Sequence, residues 1–319
     1  MPSNNTGRQR PGQDHFIASI AETPVAEIDQ LDETGKARST WTDAWESMRR
    51  RPMFWISAVL IFIILVVAAF PSLFTNVDPR ECYLKFSNGD PEAGHPLGFT
   101  RQGCDVYSRI IYGTQGSVTI GLLTTIIVTL FGGIIGALAG FYGGFLDSIV
   151  SRIGDVFFAI PTVLGAIVVF SVIPVRDAVI VSLVLALFAW PQIARIMRGS
   201  VLSARNSDYV TASAALGVTR FKTLVRHVVP NAIAPVIVIA TVSLGIFIVA
   251  EATLGFLGIG LPPTIMSWGN DINQARVSVR THPQTLLLPS AALSITVLAF
   301  LMFGDVVRDA LDPEARARR

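Results

Sequence analysis

Charged residues are scarce in this chain. Of 319 residues only 15% are Asp, Glu, Lys or Arg, while 51% are hydrophobic. A soluble domain carries about 25% charged residues, so the deficit points to long apolar runs in lipid. The formal net charge of +2 is too small to suggest a nucleic-acid partner, and the basic residues flank hydrophobic segments rather than forming one patch. Motifs that carry chemistry are missing too. No Gly-x-x-x-x-Gly-Lys-Ser/Thr run occurs: Gly35-Lys36 is followed by Ala37, and Gln30 stands where the leading Gly belongs. Nucleotide phosphates therefore have no cradle of that kind. His15, His95, His227 and His282 lie on different segments, and no Cys/His set has metal-ligand spacing. Neither Gly-x-Ser-x-Gly nor His-Glu-x-x-His occurs, which weighs against an intramembrane hydrolase. No ladder of buried charges suits a proton relay. The expectation is a chain that is not itself an enzyme and holds no cofactor or metal.

What the chain does have is hydrophobic length. Six runs, roughly 54–74, 116–141, 149–173, 178–197, 230–257 and 284–304, each approach or exceed the ~20 residues needed to cross the hydrocarbon. The expected fold is an all-α integral membrane protein with six transmembrane helices. The first run is too long for the apolar part of a signal peptide, and no small-residue cleavage site follows it. Arg and Lys choose the side. Arg49–Arg51, Arg152, the set Arg195, Arg198, Arg205, Arg220, Lys222 and Arg226, and the tail residues Arg308, Arg316, Arg318 and Arg319 mark cytoplasmic segments. Both termini are expected inside a cell membrane.

Along the chain, residues 1–40 are polar and without period, as in a disordered cytoplasmic arm. In 41–52, Trp41, Ala44, Trp45 and Met48 recur at three and four, the pattern of an interfacial helix. The membrane-spanning core is 53–304, with an outer loop at 75–115, a cytoplasmic loop at 198–229 and a tail at 305–319. The outer loop holds both cysteines, Cys82 and Cys104. Outside the cytoplasm such a pair can oxidise and stay oxidised, so a disulfide is expected; the alternative is two unrelated thiols. Gly132, Gly136 and Gly140 share one face and suit close helix packing. Asp155 follows Arg152 by three residues, a spacing for a local ion pair, and Pro161 is expected to kink the third run. Glu251 sits toward the outer end of the fifth run. A charge there faces protein or water; it is either a group at the pathway or outer gate, or a carboxylate satisfied within the bundle. Trp268 is expected as an interface anchor.

A polar, basic island, DYVTASAALGVTRFKTLVRHVVPN from Asp208 to Asn231, separates the fourth and fifth runs. Around it stand AWESMRRRPMFW, VDP at 77–79, HPLGFTRQGCDVYSRIIYG at 95–113, GALAGFYGGFLD at 136–147, ARIMRGSVLSARNSDYVTASAALG at 194–217, EATLGFLGIGLPPTIMSWG at 251–269 and FGDVVRDALDP at 303–313. In this order the pieces resemble the C-type permease subunits of dipeptide and oligopeptide ATP-binding-cassette (ABC) importers, from about Trp41 to Pro313. The island resembles their EAA loop. Its motif positions fall on Thr211-Ala212-Ser213, Gly217 and His227-Val228-Val229-Pro230. The motif's Glu is Thr211 here and its second Ala is Ser213, changes that bear on an ionic contact and not on the loop's shape. Cys104 stands where many relatives have Arg.

The resemblance implies a type I importer fold and several partners: a second homologous permease, two ATPase subunits that bind ATP and Mg, and an external binding protein that delivers peptide. It also implies that a short helix over Tyr209–Leu216, with Ala215 and then Gly217, docks on the ATPase, and that Pro230 starts the fifth span. Within the same architecture the cargo could be nickel or another small solute. From a different class, the alternatives are a stand-alone secondary carrier and a membrane scaffold.

Overall fold

The computed structural model describes residues 40–311. The expected arm at 1–40 lies outside the described residues but for Thr40, as does the expected tail beyond Leu311. The chain divides into Met1–Asp43 and Ala44–Arg319; of the first unit only the opening of helix α1 (Thr40–Arg49) is described.

Pro52 begins α2 (Pro52–Ala69). Proline suits this place because its missing N–H is unpaired in a first turn anyway. Helix α3 (Val106–Tyr142) is 37 residues long, about 55 Å at helical rise. It starts ten residues before the expected 116, so its first turns project beyond a hydrocarbon layer ~30 Å thick. Asp105 caps it, accepting from Ser108 N–H at 2.7 Å. The third run is not one helix. It is broken into α4 (Gly144–Phe158) and α5 (Thr162–Val172), which meet at 84°. Pro161 precedes α5 and has no N–H to continue the ladder. The break is full and not the simple kink that the proline alone predicts.

Helix α6 (Ala178–Arg205) follows, then α7 (Asp208–Ala215), α8 (Arg220–Thr223), a wide turn over Leu224–Val228, and α9 (Val229–Ala232). The fifth span proper, α10 (Ala234–Phe256), starts after Pro230 rather than at it. Helix α11 (Trp268–Ala275) lies between spans, and α12 (Gln284–Leu311) is the last. Five of these helices are long and apolar enough to cross a membrane, six if α4 and α5 count as one broken span. The protein is multi-pass and all-α.

The tightest seam joins α3 to α6. A Cβ on Gly132 would lie 2.8 Å from Trp190 O, one on Gly140 would lie 2.8 Å from Arg198 O, and one on Gly136 would strike the Ala194 carbonyl. Three glycines spaced by four thus face three residues spaced by four, and the backbones touch along the row. Helix α4 is tied to α6 by ion pairs. Arg198 donates to Asp147 from Nε and from Nη2, the latter at 2.7 Å. Asp155 pairs with Arg195 at 3.0 Å, not with Arg152 as its spacing had suggested.

Candidate functional site

Two ends of the bundle carry the residues singled out above. At one end, Arg205 at the close of α6 donates to Gly140 O and Phe141 O at 3.3 and 3.1 Å, satisfying the last carbonyls of α3. The chain then turns at Ser207 into α7. Only Val210 and Ser213 of α7 are buried, and Ser213 Oγ meets Thr223 Oγ of α8 at 3.3 Å. Tyr209, Thr211, Ala212 and Ala215 face outward. Gly217 ends the helix at φ +76, a left-handed backbone that disfavours a Cβ. Nothing lies within 4 Å of where that Cβ would be, so the demand is conformational and not spatial.

The result is a short helix held by its inner face and open on its outer one. Leu216 is 83% exposed and Phe221 63%; Arg220, Lys222 and Arg226 stand exposed beside them. Pro230, also exposed, lies in α9 beyond the wide turn. The surface here is an exposed apolar patch rimmed by basic residues.

At the opposite end, Cys82 and Cys104 are joined, S–S 2.07 Å. Phe86 stacks on Phe99 with centroids 4.8 Å apart, and His95 lies 4.6 Å from Phe99. His95 Nδ1 meets Asp105 Oδ1 at 3.0 Å. The disulfide loop is thereby fastened to the residue that caps α3.

Beneath it lies a buried polar cluster. Arg109 Nε donates to Asp271 Oδ1 at 2.7 Å, and both side chains are buried. Burial pushes the Asp271 carboxyl above the usual carboxylate range, while the Arg109 guanidinium pulls it back. Glu251 is fully buried. Its carboxyl faces the Ser117 and Ser267 hydroxyls, yet neither oxygen completes a hydrogen bond within the described residues. It lies inside the packing of α10, α3 and α11 rather than on an open wall. Trp268, expected at the membrane interface, is 1% exposed. Its indole N–H donates to Ile110 O at 3.1 Å and its backbone N–H to Ser117 Oγ at 3.2 Å, so it anchors α11 to α3. Gly255 and Gly269 let the backbones of α10 and α11 touch: a Cβ on either would lie within 3.0 Å of the other helix.

A recess of ≈ 710 Å³ opens at this end, between the segment after α2, the first turns of α3, the start of α6 and Ile265–Met266. The Arg109–Asp271 pair and this recess were not read from the sequence. Their partners are 162 residues apart, and no local spacing links them.

Comparison with known proteins gives the setting. Residues 132–317 match the family described as the binding-protein-dependent transport system inner membrane component, and residues 39–91 match the N-terminal TM domain of oligopeptide transport permease C. The chain is 33% identical over 282 residues to the glutathione transport system permease protein GsiD of Pectobacterium atrosepticum, covering 88% of this chain and 93% of that one. It is 30% identical over 297 residues to the dipeptide transport system permease protein DppC of Alkalihalophilus pseudofirmus, covering 92% and 97%. It is 32% identical over 281 residues to the oligopeptide transport system permease protein OppC of Bacillus subtilis, covering 88% and 92%.

Proposed function

The chain belongs to the binding-protein-dependent transport system inner membrane component family, and from that premise we propose that it forms half of the translocation pathway of an ATP-driven importer of short peptides. The observation that carries the reading is α7 with its Gly217 turn: a helix held on one face and open on the other, placed directly after a spanning helix, in a chain whose relatives are named for dipeptide, oligopeptide and glutathione transport. ATP and Mg belong to partner ATPases in this reading. A second, homologous permease completes the pathway, and a binding protein outside delivers the peptide. The basic α7 end faces the cytoplasm in this reading, which the distribution of Arg and Lys supports, and the disulfide end faces outward.

The mechanism follows from the packing. Tyr209, Thr211, Ala212, Ala215 and Leu216 present the docking face, while Val210 and Ser213 seat the helix on its own bundle. ATPase closure pushes α7, which continues from α6 with one short turn between them. Helix α6 carries α3 with it along the glycine seam, and α4 through the Asp147 and Asp155 ion pairs. The break at Ala159–Pro161 lets α5 follow a different course from α4, the property of a discontinuous helix in a transporter.

A tagged pull-down from native membranes in mild detergent, with all stoichiometric partners identified by mass, tests the assembly. The expected result is a second permease and one or two nucleotide-binding subunits. Recovery of this chain alone, under conditions that preserve other complexes, removes the importer reading and with it the role given to α7.

A further inference from the structure

The recess at the disulfide end has polar residues on its α3 wall. Tyr112, Gln115 and Thr119 line it at intervals of three and four, so they form one stripe on α3. Gln115 is exposed. Across from the stripe runs Asn76–Arg80. Asp78 and Arg80 supply one charge of each sign, and both are exposed.

This segment is held in place from both ends. Thr75 Oγ meets Ser108 Oγ at 2.6 Å, in buried surroundings, and accepts from Val77 N–H at 3.2 Å. Pro79 O accepts from Arg109 at 3.4 Å, and Arg109 is itself fixed by Asp271. The Asp78 side chain accepts from Arg80 N–H at 2.8 Å, which sets the turn between the two charges. The buried ion pair thus serves a purpose beyond packing: it fixes the turn that carries Asp78 and Arg80.

We propose that this recess is a subsite for a zwitterion, taking the ammonium of a short peptide at Asp78 and its carboxylate at Arg80. The inference rests on the reading of the chain as half of a peptide pathway, and it names a recognition step within that pathway. The volume of ≈ 710 Å³ falls within the range of about 300–1,000 Å³ found for small-ligand sites. Guanidinium matches carboxylate with two parallel hydrogen bonds. The uncharged stripe of Tyr112, Gln115 and Thr119 offers donors and acceptors to any peptide backbone, whatever its side chains. Recognition of this kind selects for free termini and short length, not for sequence.

The test uses the complete permease–ATPase assembly in lipid nanodiscs without binding protein. Saturation-transfer NMR compares dialanine, N-acetyl-dialanine and dialanine amide. The parent assembly is expected to favour dialanine over either blocked form by about tenfold, the step of one charge-assisted hydrogen bond. Arg80→Gln should lower dialanine binding to the level of the amide and leave the amide unchanged. Asp78→Asn should do the same with respect to the acetylated form. Equal binding of all three by the parent, or unchanged preference in both variants, overturns the subsite. Dialanine uptake by the complete importer with its binding protein, measured in parallel, separates the two levels. Uptake without discrimination in the recess removes only this inference, whereas absence of uptake removes the peptide reading as well.

Discussion

The two ends of this molecule are built on opposite principles. At the disulfide end, a covalent bond, a buried ion pair, stacked rings and a buried tryptophan hold the chain against itself. At the other end, α7 and α8 rest on Val210, Ser213 and Thr223 and leave Tyr209, Leu216, Phe221 and Val225 uncovered. The first end keeps its shape without help. The second leaves an apolar face exposed. The proposed importer would use this asymmetry: one end would receive force through a replaceable contact, and the other would keep a pathway mouth in register.

The comparison can be broken most strongly at Arg109. Arg109→Ala leaves Asp271 buried and unpaired, and stability is expected to fall by about 3–5 kcal/mol, read as a lower thermal midpoint in detergent. A wild-type midpoint would mean that the outer end is not held as described. Next comes the disulfide. The variant with Cys82→Ser and Cys104→Ser should lose about 2–4 kcal/mol, with faster hydrogen exchange confined to the outer loop and normal binding to the ATPase. Exchange that rises equally around α7 would show the two ends to be one cooperative unit.

Smaller effects on stability are expected at the open end, with larger effects on coupling. Gly217→Val forces a side chain into a left-handed backbone at a cost of about 1–2 kcal/mol. Expression should persist while peptide uptake per ATP hydrolysed collapses; full transport by this variant would remove Gly217 from the coupling path. Leu216→Asp should change stability by less than about 0.5 kcal/mol, as surface substitutions generally do. It should nevertheless weaken co-purification of the ATPase. Intact co-purification would place the docking face elsewhere.

Much of the fold could be read locally. Gly132, Gly136 and Gly140 announce a close seam because a period of four is visible in the chain itself. Gly217 is legible for a similar reason: a glycine between two polar helical stretches marks a turn that a side chain would resist. Local sequence misleads where the partner is remote. Asp155 has Arg152 three residues away, yet the 84° break after α4 accompanies its pairing with Arg195 of α6. Trp268 has the composition of an interface residue, yet α11 folds back onto α3 and buries it. Glu251 could be placed near the outer end of a span, but not in the company of Ser117 and Ser267, which come from two other segments.

The division has a physical cause. Hydrophobic length, the side chosen by Arg and Lys, helix-breaking prolines and small-residue rows depend on neighbours within a few turns, so the sequence by itself determined an all-α multi-pass bundle with a polar island between two spans. Contacts between charges 162 residues apart, the walls of the outer recess and the burial of Trp268 depend on which helix faces which. Those follow from the packing of the whole bundle, because a polar group buried in such a bundle must find its partner across space, and nothing in its local sequence says where that partner will be.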